Sequence, residues 1–249
     1  MRRDGCILVP ILEWTNVFLA NLVVVLGATL QGSVGFGLGF VGAPLLMLLN
    51  PTYIPGPLLL NAVVLTVLLT HRERHSIVFS EIRWAVVGRL VGVAAAAAVV
   101  ASISTDGLAL ILGVLVLILV GLSLSGLKFK PNWKSLVVAG TLSGFSGTIA
   151  SVGAPPMAIV YQNEAGPRVR GTLSAFFVIG TLLSLCALFV VGRLGRGEFT
   201  TASLMLPGLL FGFFLSRRMT VVLDRGHTRN AILALAGAGG FLLIFRELL

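Results

Sequence analysis

Four hydroxyls stand beside two interruptions in an apolar chain: Ser33 at the first, and Ser146, Thr148 and Ser151 at the second. The first interruption is ATLQGSVGFGLGFVGAP, Ala28 to Pro44, which carries Gln31, Gly32, Gly35, Gly37, Gly39 and Gly42. The second is GTLSGFSGTIASVGAPP, Gly140 to Pro156, which carries Ser143, Gly144, Gly147 and Gly153. Glycine and proline break helices, the one through backbone entropy and the other through its missing N–H. A helix restarted after a break offers free N–H groups and the positive end of its dipole, and both attract anions. With hydroxyls and an amide alongside, the chemistry offered is capture of an oxyanion by dipoles and neutral donors. The expected ligands are therefore Gln31, Ser33, Gly35, Gly39 and Gly42 at the first break. At the second they are Ser143, Ser146, Thr148, Ser151 and Gly153. Pro44 and Pro155 are expected in the first turns of the restarted helices, where a missing N–H costs least. The plainer alternative is that the glycines allow close helix packing and the hydroxyls bond back to their own helix.

Asn61 follows Pro44 by the same interval that separates Thr172 from Pro155. Asn61, Thr172 and Ser174 are expected near the starts of the helices after each break. There they would line the same space from the opposite wall, or else cap helices and bond between them. Arg89 falls a few residues into an apolar segment; the expectation is that it snorkels to the membrane surface, leaving the site uncharged. Arg168 and Arg170 flank a helix start, as a mouth that draws in anions or as simple anchors. Gln162 and Asn163 read as loop residues.

The chain that positions these residues has 249 residues, 57% hydrophobic and 11% charged, with a mean hydropathy of +1.03. Soluble domains are usually about 25% charged, so this is an all-α polytopic membrane protein. The net charge of +9 comes from Lys and Arg between apolar segments. That placement serves orientation and lipid contact rather than nucleic acid. Cys6 and Cys186 stand far apart and suggest neither a disulfide framework nor a thiolate metal site. His71 and His75 share a charged loop with only Glu73 to help, so no metal site is expected. The N-terminus starts like a signal peptide, but Glu13 and Asn16 interrupt its apolar part, and it reads as an uncleaved first helix.

The chain reads as two copies. Thr29-Leu30, Gly32 and Gly35 match Thr141-Leu142, Gly144 and Gly147; Gly42-Ala43-Pro44 matches Gly153-Ala154-Pro155; Gly56-Pro57 matches Gly166-Pro167; and Gly88 with Gly92 matches Gly208 with Gly212. The matches keep the same order, which predicts an internal duplication divided between residues 1–127 and 128–249. Each repeat would hold one Gly-broken helical hairpin and three spanning helices. Two arrangements remain open. If each broken segment is re-entrant, the copies are inverted, and the loops 71–83, 125–134, 162–170 and 216–229 share one face that collects most of the Lys and Arg. If each broken segment crosses once, the copies are parallel and the charge bias is slightly weaker. The positive-inside rule leans towards inversion, with both termini outside.

The duplicated break, the four-segment repeat and the size resemble the TauE/SafE family of sulfite exporters and related permeases. The most specific stretch is SGFSGTIASVGAPPMAIVYQNEAGPRVRGTLSAFF, Ser143 to Phe177. The resemblance implies a multi-pass protein of the bacterial inner membrane and secondary transport of sulfite, sulfonates or other small sulfur-containing anions. It departs from the fullest family pattern in TIASVG, where the glycine run is nearly lost. The partners expected are membrane lipid and a small anionic substrate, with no cofactor and no nucleic acid. No G-x-x-x-x-G-K-[ST] motif is present for ATP hydrolysis. No Asp or Glu lies well inside a predicted span to relay protons. Ser33 and Ser151 have no intramembrane His or Asp as base, so an enzyme is not expected. The competing reading is a channel-like path for another small anion or a neutral solute.

Overall fold

Runs of Leu, Val, Ala and Gly without polar interruption fold as helices because a chain in lipid must satisfy its backbone groups internally. The computed structural model describes residues 5–102, 105–127, 129–223, 236–242 and 244–245, and among the described residues there are helices and no strands. The helices are α1 (Gly5–Val34), α2 (Leu38–Leu49), α3 (Gly56–Arg72), α4 (Phe79–Ser102), α5 (Thr105–Leu124), α6 (Trp133–Ala150), α7 (Ala154–Tyr161), α8 (Gly166–Val190) and α9 (Arg196–Leu223). Residues 236–242 are helical as well. Trp14–Val34, Phe79–Ser102, Gly166–Val190 and Arg196–Thr220 are long and apolar enough to cross a membrane by length and composition. The 12 residues of α2 rise only about 18 Å and the 8 of α7 only about 12 Å, so neither crosses alone.

Both broken segments fold back on themselves. After α1 the chain turns at Gly35 and Gly37, with φ of +100° and +152°, conformations that favour glycine. The start of α2 then lies against Gly27 and Leu30 of α1. After α6 the turn is made by Ser151 at φ +59°, the only non-glycine residue with positive φ among the described residues. Ser146 takes up the groups this turn frees: its carbonyl accepts from the Ser151 N–H, and its hydroxyl donates to the Val152 carbonyl at 2.7 Å. Here the expectation of Pro44 in a first turn fails. α2 begins at Leu38, so Pro44 lies inside it, whereas Pro155 sits in the first turn of α7 as expected.

The hairpins end on opposite faces. Gln162, just past α7, donates to the Leu127 carbonyl before α6, and Tyr161 donates to Glu81 near the start of α4. Gly56, at the start of α3, instead touches Leu194 and Glu198 at the start of α9. α9 then runs to Ser216, which receives a hydrogen bond from Arg72 at the end of α3. The loops 71–83, 125–134 and 162–170 and the far part of α9 therefore cluster at one end.

The glycine pairs seen in the sequence are packing devices between parallel helices. Gly88 and Gly92 of α4 lie against Val137 and Thr141 of α6, and a Cβ at either would overlap a carbonyl. Gly208 and Gly212 of α9 lie against Asn21 and Val25 of α1. Contacts advance in step along both pairs, so α4 runs parallel to α6 and α9 parallel to α1. Asn21 accepts from the Gly208 N–H at 2.8 Å, and Thr29 donates to the Gly212 carbonyl at 3.3 Å. α3 packs on α9 and α8 on α4 in the same alternation.

Candidate functional site

The two breaks meet. A Cβ on Gly39, in the first turn of α2, would overlap the carbonyl of Ser151 at the turn after α6. Beside this contact is a narrow cavity of about 40 Å³. Gln31 and Gly39 line it from the first hairpin, and Gly147, Ser151 and Gly153 from the second. Its remaining walls include Thr66 of α3, Arg89 of α4, and Phe177 and Thr181 of α8.

Of the residues expected from the sequence, Gln31, Gly39, Ser151 and Gly153 thus lie on one cavity. Gln31 also spans its own break, since its side-chain oxygen accepts from the Leu38 N–H at 3.2 Å. Ser151 donates to the Pro55 carbonyl at 3.2 Å. Ser143 and Thr148 stand one contact behind. Ser143 accepts from Arg89 at 2.7 Å, and Thr148 shares a 2.8 Å hydrogen bond with Ser184 while donating back to the Gly144 carbonyl. Ser146 is spent on closing the turn. The remaining residues are not on the cavity wall. Ser33 donates to the Thr29 and Ser216 carbonyls. Gly35 lies against Val169 and Arg170, and Gly42 faces open space. Asn61 donates to the Pro57 and Ala202 carbonyls, and Thr172 accepts from the Val78 N–H at 3.1 Å. The Ser174 hydroxyl is buried without a partner. The back-bonding alternative is thus what Ser33, Ser146 and Thr148 do. The N–H groups of the restarted helices are also fewer than expected: Gln31 occupies that of Leu38, and Pro155 and Pro156 have none.

Arg89 corrects the sequence reading most. It does not snorkel: it is 1% exposed, the largest fully buried side chain among the described residues. One terminal nitrogen donates to the Ser143 hydroxyl and, at 3.3 Å, to the Ser143 carbonyl; the other reaches Ser184 at 3.4 Å. The guanidinium lies 5.3 Å from the ring centre of Phe176 and 5.9 Å from that of Phe177. Its Nε is buried with no hydrogen-bond partner. Glycines clear its place: a Cβ on Gly180 would overlap Nε, and one on Gly153 or Gly147 would lie 3.0 or 3.1 Å from a terminal nitrogen. The signal available in the sequence was an arginine between the glycines of Gly88-x-x-x-Gly92; the structure adds that the 24-residue helix begins at Phe79 rather than Trp84, which carries it deeper.

At the clustered end Arg72, Arg168 and Arg170 are paired with carboxylates. Arg168 bridges Glu81 at 2.6 Å and Glu164 at 2.7 Å. Arg72 and Arg170 share Glu73, each at 3.2 Å. Arg72 also donates to the Gly32 carbonyl and Arg170 to the Ser33 carbonyl, which holds the end of α1. Arg168 and Arg170 lie within the first turns of α8, which begins at Gly166. Among the described residues no group of His, Cys, Asp and Glu is arranged to hold a metal.

Two broken hairpins meet at a small cavity of mixed polar and apolar lining inside an apolar helical assembly, the architecture of a polytopic membrane protein. The chain belongs to the TauE/SafE sulfite exporter family, whose family model matches residues 20–243. No curated protein and no solved structure matches it.

Proposed function

We propose that the protein is a secondary transporter of a small sulfur-containing anion, such as sulfite or an organosulfonate, and that the cavity between the two breaks is its substrate site. The observation that carries the reading is the contact of Gly39 with Ser151 beside a cavity lined by polar groups of both hairpins. Membrane transporters commonly bind at discontinuous helices near the midplane, at the interface of two repeats. The halves 1–127 and 128–249 act in this reading as inverted copies. Its support is the exchange of packing partners, α4 with α6 for α9 with α1, and the return of the two hairpins to opposite faces. Alternating access then amounts to rocking one half against the other about the breaks. A bacterial inner membrane, with the clustered basic loops cytoplasmic, completes the reading.

Counterflow of labelled sulfite in vesicles containing the purified protein tests it. The wild type is expected to show saturable exchange. Gly147→Leu, whose side chain fills the cavity, is expected to abolish exchange while remaining folded and inserted. Unaltered exchange by Gly147→Leu would move the site elsewhere. Unitary currents in place of saturable exchange would make the protein a channel. In intact cells, a cysteine replacing Ser76 should resist an impermeant thiol reagent and one replacing Gly195 should react; the opposite pattern reverses the orientation.

A further inference from the structure

We propose that Arg89 is the counter-charge of the cavity and restricts its occupant to a small monovalent oxyanion, excluding dianions and sulfonates that carry a carbon chain. The inference rests on the transport reading above and narrows it. Among the described residues Arg89 is the only ionisable one on the cavity wall. The ion pairs among the described residues are Arg72–Glu73, Arg168–Glu81, Arg168–Glu164 and Arg170–Glu73, so none of them neutralises it. Serines and aromatic faces hold two edges of the guanidinium, while its Nε–H is buried without an acceptor. A buried cation without a counter-ion is costly, and one negative charge in the cavity beside the guanidinium offsets that cost. A second negative charge in the same site has no cation to meet it and bears its own desolvation penalty.

Size points the same way. A cavity of about 40 Å³ has room for about three waters. That suits an ion with three oxygens on one centre, not one with an ethyl chain attached. Gly180, Gly147 and Gly153 are all placed so that the guanidinium can lie where it does. A simple helix tether would not need clearance on three sides. The glycines at the second break are thus tied to the arginine rather than to the turn, which Ser151 makes.

The test uses the purified full-length protein at a mildly acidic pH that keeps hydrogen sulfite protonated, with nitrate and hydrogen sulfite as small monoanions, sulfate and thiosulfate as dianions, ethanesulfonate as a chain-bearing monoanion, and chloride to match ionic strength. Thermal unfolding reads binding, because a ligand of the folded state alone raises the midpoint. Nitrate and hydrogen sulfite are expected to raise it by several degrees, and sulfate, thiosulfate and ethanesulfonate to leave it at the chloride value. Arg89→Lys, and Gly180→Ala, which displaces the guanidinium from a helix that tolerates alanine well, should each weaken nitrate at least tenfold. Arg83→Gln at the surface should not. Sulfate or ethanesulfonate binding the wild type as well as nitrate does overturns the proposal, as does an absence of any anion effect; neither result needs a variant to fold. Full affinity in Arg89→Gln, which removes the charge, would reduce Arg89 to a tether. Vesicle counterflow separates this from the transport reading. Wild-type exchange with unchanged selectivity in Arg89→Gln sinks only the role of Arg89. An Arg89-dependent nitrate shift without any exchange sinks only transport.

Discussion

In the first hairpin the chain turns through Gly35 and Gly37, and the amide of Gln31 reaches across to the Leu38 N–H. In the second it turns through Ser151 in a left-handed conformation, and the counterpart of Gln31 is Ser143, which is bound to Arg89. The glycine-pair register sets Arg89 of Gly88-Arg89-x-x-Gly92 against Leu209 of Gly208-Leu209-x-x-Gly212. Leu209 is fully buried, and the corresponding turn of α3, where α8 has Gly180, holds Leu69 and Thr70. By this register buried leucines stand where α4 and α8 have Arg89 and Gly180. The backbone scheme is shared and the chemistry is not. The two breaks meet at one cavity, and among its described lining residues Arg89 alone is ionisable.

The comparison can be broken or sharpened by substitution. The largest effect is expected where the hairpins touch. Gly39→Leu drives a side chain into the Ser151 backbone, which cannot move aside as a flexible side chain would. Overpacking of this kind costs about 1–3 kcal/mol or more. We expect exchange in vesicles to be lost and the unfolding temperature in detergent to fall; retention of both would mean that the breaks do not bear on each other.

A smaller and more discriminating effect is expected at the turns. Gly37→Ala places a methyl at φ +152° against the Leu30 side chain, a strain on the order of 1–3 kcal/mol. Ser151→Gly relieves the left-handed cost of about 1–2 kcal/mol while giving up one hydrogen bond to Pro55, worth about 0.5–1.5 kcal/mol. Thermal unfolding should show a clear loss for the first and nearly none for the second. Equal losses would mean that both turns are held by the same forces.

The smallest effects separate Gln31 from Ser143. Gln31→Ala frees one N–H at the start of α2, a cap-like loss of about 0.5–2 kcal/mol. Ser143→Ala removes an acceptor from a buried cation, about 1.5–3 kcal/mol. With nitrate present, the gap to nitrate-loaded wild type should narrow for Ser143→Ala and stay unchanged for Gln31→Ala; narrowing in both would place the anion nearer Gln31 than Arg89.

Much was legible in the sequence alone. Apolar runs and scarce charge determine a helical membrane protein, because lipid offers the backbone no other partner. The paired Gly-rich stretches mark the two breaks, since glycine and proline both weaken a helix, and the family match runs over residues 20–243. Gln31, Gly39, Ser151 and Gly153 reach the cavity because they lie where the helices stop or restart. Tertiary structure decided the rest. Ser33, Asn61 and Thr172 are polar groups in apolar helices, and only the position of a neighbouring carbonyl or N–H tells a ligand from a packing bond. Gly88 and Gly180 look alike in sequence, yet one seats α6 and the other makes room for an arginine. Whether Arg89 reaches the surface or faces the cavity depends on where its helix starts and on which side chains surround it. A cation can stay buried only where hydroxyls, aromatic faces and empty space converge from three helices distant in the chain.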